Sequence, residues 1–316
     1  MESKPIVEFL MGDEITGFYY LNRADLKSRR DKQGTFLALD LSDASGHIAA
    51  HVWEDADTVA KSIRAGDVVK LQGNVQSFQG RKQLVIQRIR PVNTQDEVDM
   101  SRIIASIGKK VDQLWREYAR LATSVVNPFL RSLLRKFTED EDFREKFCQA
   151  PASRNAHHSY LGGLLEHSVA VCKLCEKMSG VYEEIDADLL ITAALLHDVG
   201  KVHAFQTGPS FDLTDSGKLL GSTVIGLQIL QQRIADIPAF PAELTLKLQH
   251  LLLSPQPAKK ESPVVEAMTA EAIILHHADQ LDCVQNLFQR ARKRDKKAGE
   301  LWSHVIKSLD RQFYLG

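Results

Sequence analysis

TFLALDLSDASGHIAAHVW, residues 35–53, alternates between two faces on both sides of a turn. Leu37, Leu39 and Leu41 fall on one side, with Phe36, Ala38 and Asp40 on the other. After the turn Asp43-Ala44-Ser45-Gly46, Ile48, Ala50 and Val52 point inward, and Ala49, His51 and Trp53 outward. A period of two with a Gly-containing turn reads as a half-buried β-hairpin. Working outward, DVVKLQGNVQSF (67–78) and KQLVIQRIRPV (82–92) alternate in the same way, and the pattern holds from Asp13 to Val92. Asp31-Lys32-Gln33-Gly34 and Gln79-Gly80 mark further turns, and a helix-like stretch from Asp55 to Ile63 follows the third strand. Five strands with a helix after the third is the plan of an OB barrel.

From Asp96 the period changes to 3.6. Ile103, Ile104, Ile107, Val111, Leu114, Trp115, Tyr118 and Leu121 fall on one helical stripe, which reads as the apolar face of a core helix. Breaks are expected at Asn127-Pro128, Ala150-Pro151, Gly208-Pro209, Ile237-Pro238 and between Ser254 and Pro263. The polar stretch Asn93-Thr94-Gln95-Asp96 sets the boundary, giving a β domain over 1–94 and an all-α domain over 95–316. A chain of 316 residues suits two cores better than one.

Forty basic and 41 acidic residues leave a net charge of −1, so nucleic acid can be recruited only through local patches. The four cysteines suggest no disulfide framework. Cys172-x-x-Cys175 lacks the second ligand pair of a structural zinc site and reads as two small apolar residues on one helix face. The N-terminal stretch has no signal-peptide pattern and no segment is apolar enough to span a bilayer, so a cytoplasmic protein without membrane association is expected.

The helical half carries LLEHS with His167, LLHDVGK with His197, Asp198 and Lys201, and LHHADQLD with His276, His277, Asp279 and Asp282. Each sits in an apolar helix, where a polar side chain is costly to bury without a partner. The adjacent pair His197-Asp198 ends an apolar run, and a cation would satisfy both. Imidazole with carboxylate suits Mn²⁺, Fe²⁺, Zn²⁺, Co²⁺ or Mg²⁺.

The H…HD…D spacing resembles that of the HD-domain phosphohydrolases. That resemblance implies metal ligands at His167, His197, Asp198 and Asp279, and catalytic candidates at Asp198, Lys201 and His158, with Lys201 near a substrate phosphate. The whole chain resembles the YhaM family of 3′–5′ exoribonucleases, which pair an OB domain with an HD domain. The resemblance is carried by His157-His158-Ser159-Tyr160-Leu161-Gly162-Gly163-Leu164-Leu165-Glu166-His167 and His197 to Lys201, and by shorter stretches including Gly46 to Trp53, Gly66 to Val69 and Gln83 to Ile86. It implies a divalent ion, Mn²⁺ first, and a single-stranded RNA substrate, with DNA as the alternative. Two departures stand out. Leu219-Leu220-Gly221-Ser222 has serine where the family has histidine, and Ser254-Pro255-Gln256-Pro257 replaces Ser-His-His-Gly. The missing histidines would serve a second ion, so one ion per chain is expected. His157, His158 and His250 remain nearby in sequence, without a pattern that shows them compensating.

OB barrels stack bases on aromatic rings and track the backbone with cations. Phe36, Trp53 and Phe78 supply candidate rings; Arg29, Arg30, Arg81 and Lys82 supply charge. The alternative is that Phe36 and Trp53 cover an interdomain surface. A basic cluster, Arg290 to Lys297, either guides a strand or is a solvated helix face. Three functions follow: a metal-dependent phosphodiesterase on single strands, a degenerate HD protein that binds nucleic acid or a partner without catalysis, or a small-nucleotide phosphohydrolase with a regulatory barrel. A homo-oligomer is compatible with each.

Overall fold

The computed structural model describes residues 3–29, 34–78, 80–93, 95–103, 111–154, 156–206, 211–254, 265–296, 301–306 and 308–316. Arg30, Pro255 and Gln256, and the break at Gly208-Pro209, lie outside them. The chain divides into two compact units, Met1–Ser106 and Ile107–Thr207 with Phe211–Gly316.

The first unit is a closed barrel of β1 (Glu14–Ser28), β2 (Thr35–Asp43), β3 (Gly46–Val52), β4 (Val68–Phe78) and β5 (Arg81–Pro91), with α1 (Ala56–Ser62) between β3 and β4. Strand order β1-β2-β3-β5-β4, closed by β1 on β4, is the OB arrangement. All contacts are antiparallel except β3 with β5, where His51 stands opposite Val85. The alternation decides the packing as expected: Leu37, Leu39, Leu41, Ile48, Ala50 and Val52 are buried in one cluster with Leu71, Leu84 and Ile86.

α2 (Met100–Ile103) remains with this unit. The Ala44 N–H donates to the Arg102 carbonyl oxygen at 2.9 Å, and Ile103 is buried. The unit therefore runs past the polar stretch Asn93–Asp96, where the sequence places the boundary. Ile103 does not share the stripe of the next helix, because α2 is fastened to the barrel before that helix begins. Ile104 and Ile107 lie outside the described residues.

The second unit is helical: α3 (Val111–Ser124), α4 (Pro128–Thr138), α5 (Glu141–Gln149), α6 (Gly163–Ser179), α7 (Ala187–Leu196), α8 (Lys201–Ala204), α9 (Asp215–Leu219), α10 (Gly221–Ala235), α11 (Ala242–Leu253) and α12 (Ala270–Asp295). Trp115, Tyr118 and Leu121 bury one face of α3. α7 is apolar all round, with Leu189 to Leu196 buried throughout, so it forms the central element. Cys172 and Cys175 are buried in the same core. No helix among the described residues is long and apolar enough to cross a membrane.

Helix starts are written in the sequence. The Asn127 carboxamide accepts from the N–H groups of Phe129 and Leu130 at 3.0 and 3.2 Å, and Pro128 occupies the first helical turn. Asn127→Ala leaves both donors without that acceptor. It is expected to cost about 1 kcal/mol in urea unfolding of the second unit.

Candidate metal centre

Four segments bring the polar residues together: the loop before α6, α6 itself, the α7–α8 turn and α12. His167 lies on the buried side of α6. His197 caps the C-terminus of α7, and Asp198 follows it in the turn that leads into α8. Asp279 is buried on α12. The α12 residues Asp279, Asp282, Cys283, Asn286 and Arg290 lie three or four positions apart and share one helix face.

Each imidazole is oriented from behind. His197 Nδ1 donates to the Ala194 carbonyl oxygen at 2.8 Å. His167 Nδ1 donates to Asp282 Oδ2 at 2.7 Å. Both rings then turn Nε2 to a common point, 3.3 Å apart. Asp279 Oδ1 lies 3.2 Å from His167 Nε2, and Asp198 Oδ2 lies 3.5 Å and 3.4 Å from the two Nε2 atoms. Four electron-pair donors converge in a buried volume, and Lys201, paired with Asp198, is the ammonium beside them. Lone pairs facing one another away from water repel unless a cation lies between them. The donor set therefore fits a divalent ion, and His167, His197 and Asp279 form one of the described groups able to hold one.

The electrostatics agree. Burial disfavours the His167 imidazolium, yet Asp279 and Asp282 overcome it and lift its pKa to about 9. Burial penalises the carboxylate of Asp198, but Lys201, His197 and His167 hold its pKa below the ordinary value. Asp279 is likewise held low, against its burial, by His167. The carboxylates stay charged and draw positive charge to this point.

Asp282 connects the centre to a second network. Its Oδ2 also accepts from His158 Nε2, at 2.8 Å. His158 Nδ1 lies 2.8 Å from the Tyr160 hydroxyl, which donates to Glu166 and accepts from Asn286 Nδ2 at 3.1 Å. His158 thus lies behind His167, reaching it through Asp282. The loop is tightly held. His158 has φ of 44°, its N–H donates to Asn286 Oδ1 at 2.9 Å, and a Cβ on Gly163 would lie 2.0 Å from its carbonyl oxygen. His157 stands on the other side, with its ring centroid 5.0 Å from that of His167. Burial, then the charges of Lys201 and His167, push its pKa down to about 3, so the ring is neutral.

The sequence names Asp282 without giving it a role, and it passes over Tyr160, Glu166 and Asn286. The signal was the spacing: Asp282 and Asn286 follow Asp279 by three and seven positions, on the same face of α12. The remaining histidines fall elsewhere. His250 Nε2 accepts from the Met268 N–H at 3.1 Å, and among the described residues His250, His276 and His277 join no group able to hold an ion. The Ser222 carbonyl oxygen borders Gly200 of the α7–α8 turn.

On the barrel, the outer face of β2 and β3 gathers an aromatic cluster. Phe36 stacks on Trp53 with centroids 4.8 Å apart, and His51 lies 5.4 Å from Phe36 and 5.6 Å from Trp53. Strict alternation places His51 there, although the sequence reading left it without a role. The Arg29 guanidinium lies 5.4 Å over the Trp53 ring, and Arg29 also donates to the Trp53 carbonyl oxygen. Phe78 is opposite Arg81 across β4–β5, and both are exposed. Lys82 does not join them. It has the inward parity of Leu84 and donates to the Phe9 carbonyl oxygen at 2.6 Å.

Comparison with known proteins adds two families. A family model described as HD domain matches residues 164–283, and one described as OB-fold nucleic acid binding domain matches residues 23–92. The first unit is similar to solved structures of replication protein A parts. One, a replication protein A heterotrimer bound to ssDNA, is 24% identical over 28% of this chain and 63% of that one, with a TM-score of 0.21. The second OB-fold domain of replication protein A from Methanococcus maripaludis is 19% identical over 31% and 100%, at 0.25. A replication factor A related protein from Methanobacterium thermoautotrophicum is 20% identical over 30% and 96%, at 0.24. The chain thus carries an N-terminal OB barrel followed by a helical HD domain, with His and Asp groups able to hold a metal ion.

Proposed function

We propose that this protein is a divalent-metal phosphodiesterase acting on single-stranded nucleic acid, RNA first, and removing nucleotides from the 3′ end as in the YhaM-type enzymes it resembles. The observation that carries the reading is the pair of Nε2 atoms of His167 and His197, 3.3 Å apart with two carboxylates beside them and each ring fixed from behind. His167, His197, Asp198 and Asp279 would hold the ion, Mn²⁺ first. When bound, it would polarise a phosphoryl oxygen and lower the pKa of a water to give the nucleophile. Lys201 supplies a compact positive charge for the substrate phosphate, held in place by Asp198. Asp282 fixes the His167 tautomer, and His158 buttresses Asp282.

Phe36, Trp53, His51, Phe78 and Arg81 are assigned to strand binding on the barrel. A strand held there stays tethered to the hydrolytic unit and raises its effective concentration. Purified protein with Mn²⁺ and 5′-labelled single-stranded RNA is expected to give a ladder of shortening products. Absence of product with a loaded metal site would overturn the hydrolytic reading. Phe36→Ala or Trp53→Ala is expected to weaken RNA binding about 5- to 150-fold, since each stacked base contributes about 1–3 kcal/mol. Filter binding at fixed salt reads it.

One observation favours a second reading, strand binding without hydrolysis. His250 is engaged by the Met268 N–H, and Ser222 offers no imidazole, so a second ion has few donors. Full metal content with intact RNA would select it.

A further inference from the structure

Outside the four converging ligands, one polar atom at the centre has no partner. His157 Nε2 is buried and makes no hydrogen bond. Its neighbours give it none: the Ser153 hydroxyl donates to the His157 carbonyl oxygen, and the ring packs against those of His158 and His167. A buried imidazole nitrogen without a partner carries the full cost of desolvation. It is also not randomly placed. A ring nitrogen of His157, a ring nitrogen of His167 and Cys283 Sγ all lie within 4.8 Å of one another. Cys283 Sγ in turn donates to Asp279 Oδ1 at 3.3 Å, and Asp279 Oδ1 is the atom nearest His167 Nε2. That chain of contacts puts His157 on the Nε2 side of His167, where the ligands converge, and opposite the Asp282 side occupied by His158. Two nitrogens bonded across one ion stand about 4.2 Å apart, so the observed span closes with a shift of a few tenths of an ångström.

We infer that His157 is a fifth ligand of the bound divalent ion, adding a third imidazole to His167 and His197. This rests on the reading of the cluster as a metal centre. The loop makes the assignment specific. Asn286 and Gly163 fix the backbone of His158, and the Arg290 guanidinium donates to the Ala156 carbonyl oxygen, so His157 is clamped from both flanks. His157 then contributes at the one ion what the serine at 222 cannot. A centre with three imidazoles and two carboxylates leaves an octahedral ion one position for water or phosphate.

The test is a Co²⁺ titration of the full-length protein, followed by the visible d–d absorption of the bound ion. Wild type, His157→Ala, His157→Gln and His167→Ala are compared. His157→Ala is expected to bind Co²⁺ about 10- to 100-fold more weakly, with a shifted d–d spectrum showing a lost nitrogen ligand. His157→Gln preserves length and polarity and carries the measurement if the alanine variant melts early by circular dichroism. It is expected to shift the spectrum in the same direction. Unchanged affinity and spectrum in the folded variants overturn the assignment of His157 while leaving the metal centre standing. Failure of wild type to bind Co²⁺ at all overturns the metal centre itself, and His167→Ala gives the reference for that state.

Discussion

His197→Ala is expected to empty the centre and lower hydrolysis of single-stranded RNA by at least about 10³-fold. The substitution removes one of two imidazoles whose Nε2 atoms meet at 3.3 Å, and with it the hydrogen bond that fixes the ring to the Ala194 carbonyl oxygen. Loss of an outer-shell partner alone typically weakens metal binding 10- to 100-fold, so loss of a ligand should exceed that. Polarisation of the phosphoryl oxygen supplies several kcal/mol of transition-state stabilisation, which corresponds to about three or more decades in rate. Metal content per chain and single-turnover product formation are to be measured together. A variant that keeps its metal and its rate would show that His197 is not a ligand. The fold should survive, because the methyl group of alanine is easily accommodated where the buried ring stood.

Gly200→Ala is the change expected to damage the helical unit most for its size. A Cβ at Gly200 would lie 1.9 Å from the Ser222 carbonyl oxygen and 2.4 Å from the Gly226 amide nitrogen. Both are backbone atoms of α10, so no side chain can rotate away. The α7–α8 turn and α10 must separate, which opens packing around Val199 and Ile225. Overpacking of this kind costs about 3 kcal/mol, or roughly 6–12 °C in melting temperature for a domain of this size. Because Asp198 and Lys201 flank the glycine, metal affinity should fall with stability. Differential scanning calorimetry with and without Mn²⁺ reads both. A melting temperature within a degree of wild type would show that the turn and α10 are free to part.

Much of this was legible in the sequence because it rests on local periodicity. Leu37, Leu39 and Leu41 against Ile48, Ala50 and Val52 settle two strands and their inward faces. Closure of the barrel does not show in that pattern. It depends on β3 lying parallel to β5, a pairing between residues more than thirty positions apart. At the metal centre, His167, His197, Asp198 and Asp279 stand out as polar residues in apolar helices. Gly200 could not be read in the same way, since its role comes from Ser222 and Gly226 on another helix. Asp282 and Asn286 resemble ordinary polar residues of a half-exposed helix until His158 and His167 are seen beside them. His157 looked like one of a pair of equivalent neighbours. The left-handed backbone at His158 sends the two rings to opposite sides of His167, and adjacency in sequence cannot convey that. The end of the barrel unit was misplaced for a related reason, because the docking of α2 is a tertiary contact.

The spacing along α12 has a consequence for how this protein can vary. Asp279, Asp282, Cys283, Asn286 and Arg290 serve three different neighbours from one unbroken α-helix. Each added or deleted residue within that stretch would rotate all later positions by about 100°. Asp279 would then face the ion while Asn286 and Arg290 turned away from the loop they clamp. Drift in length is open to the connections between helices and closed within this segment, which functions as the ruler against which the rest of the centre is aligned.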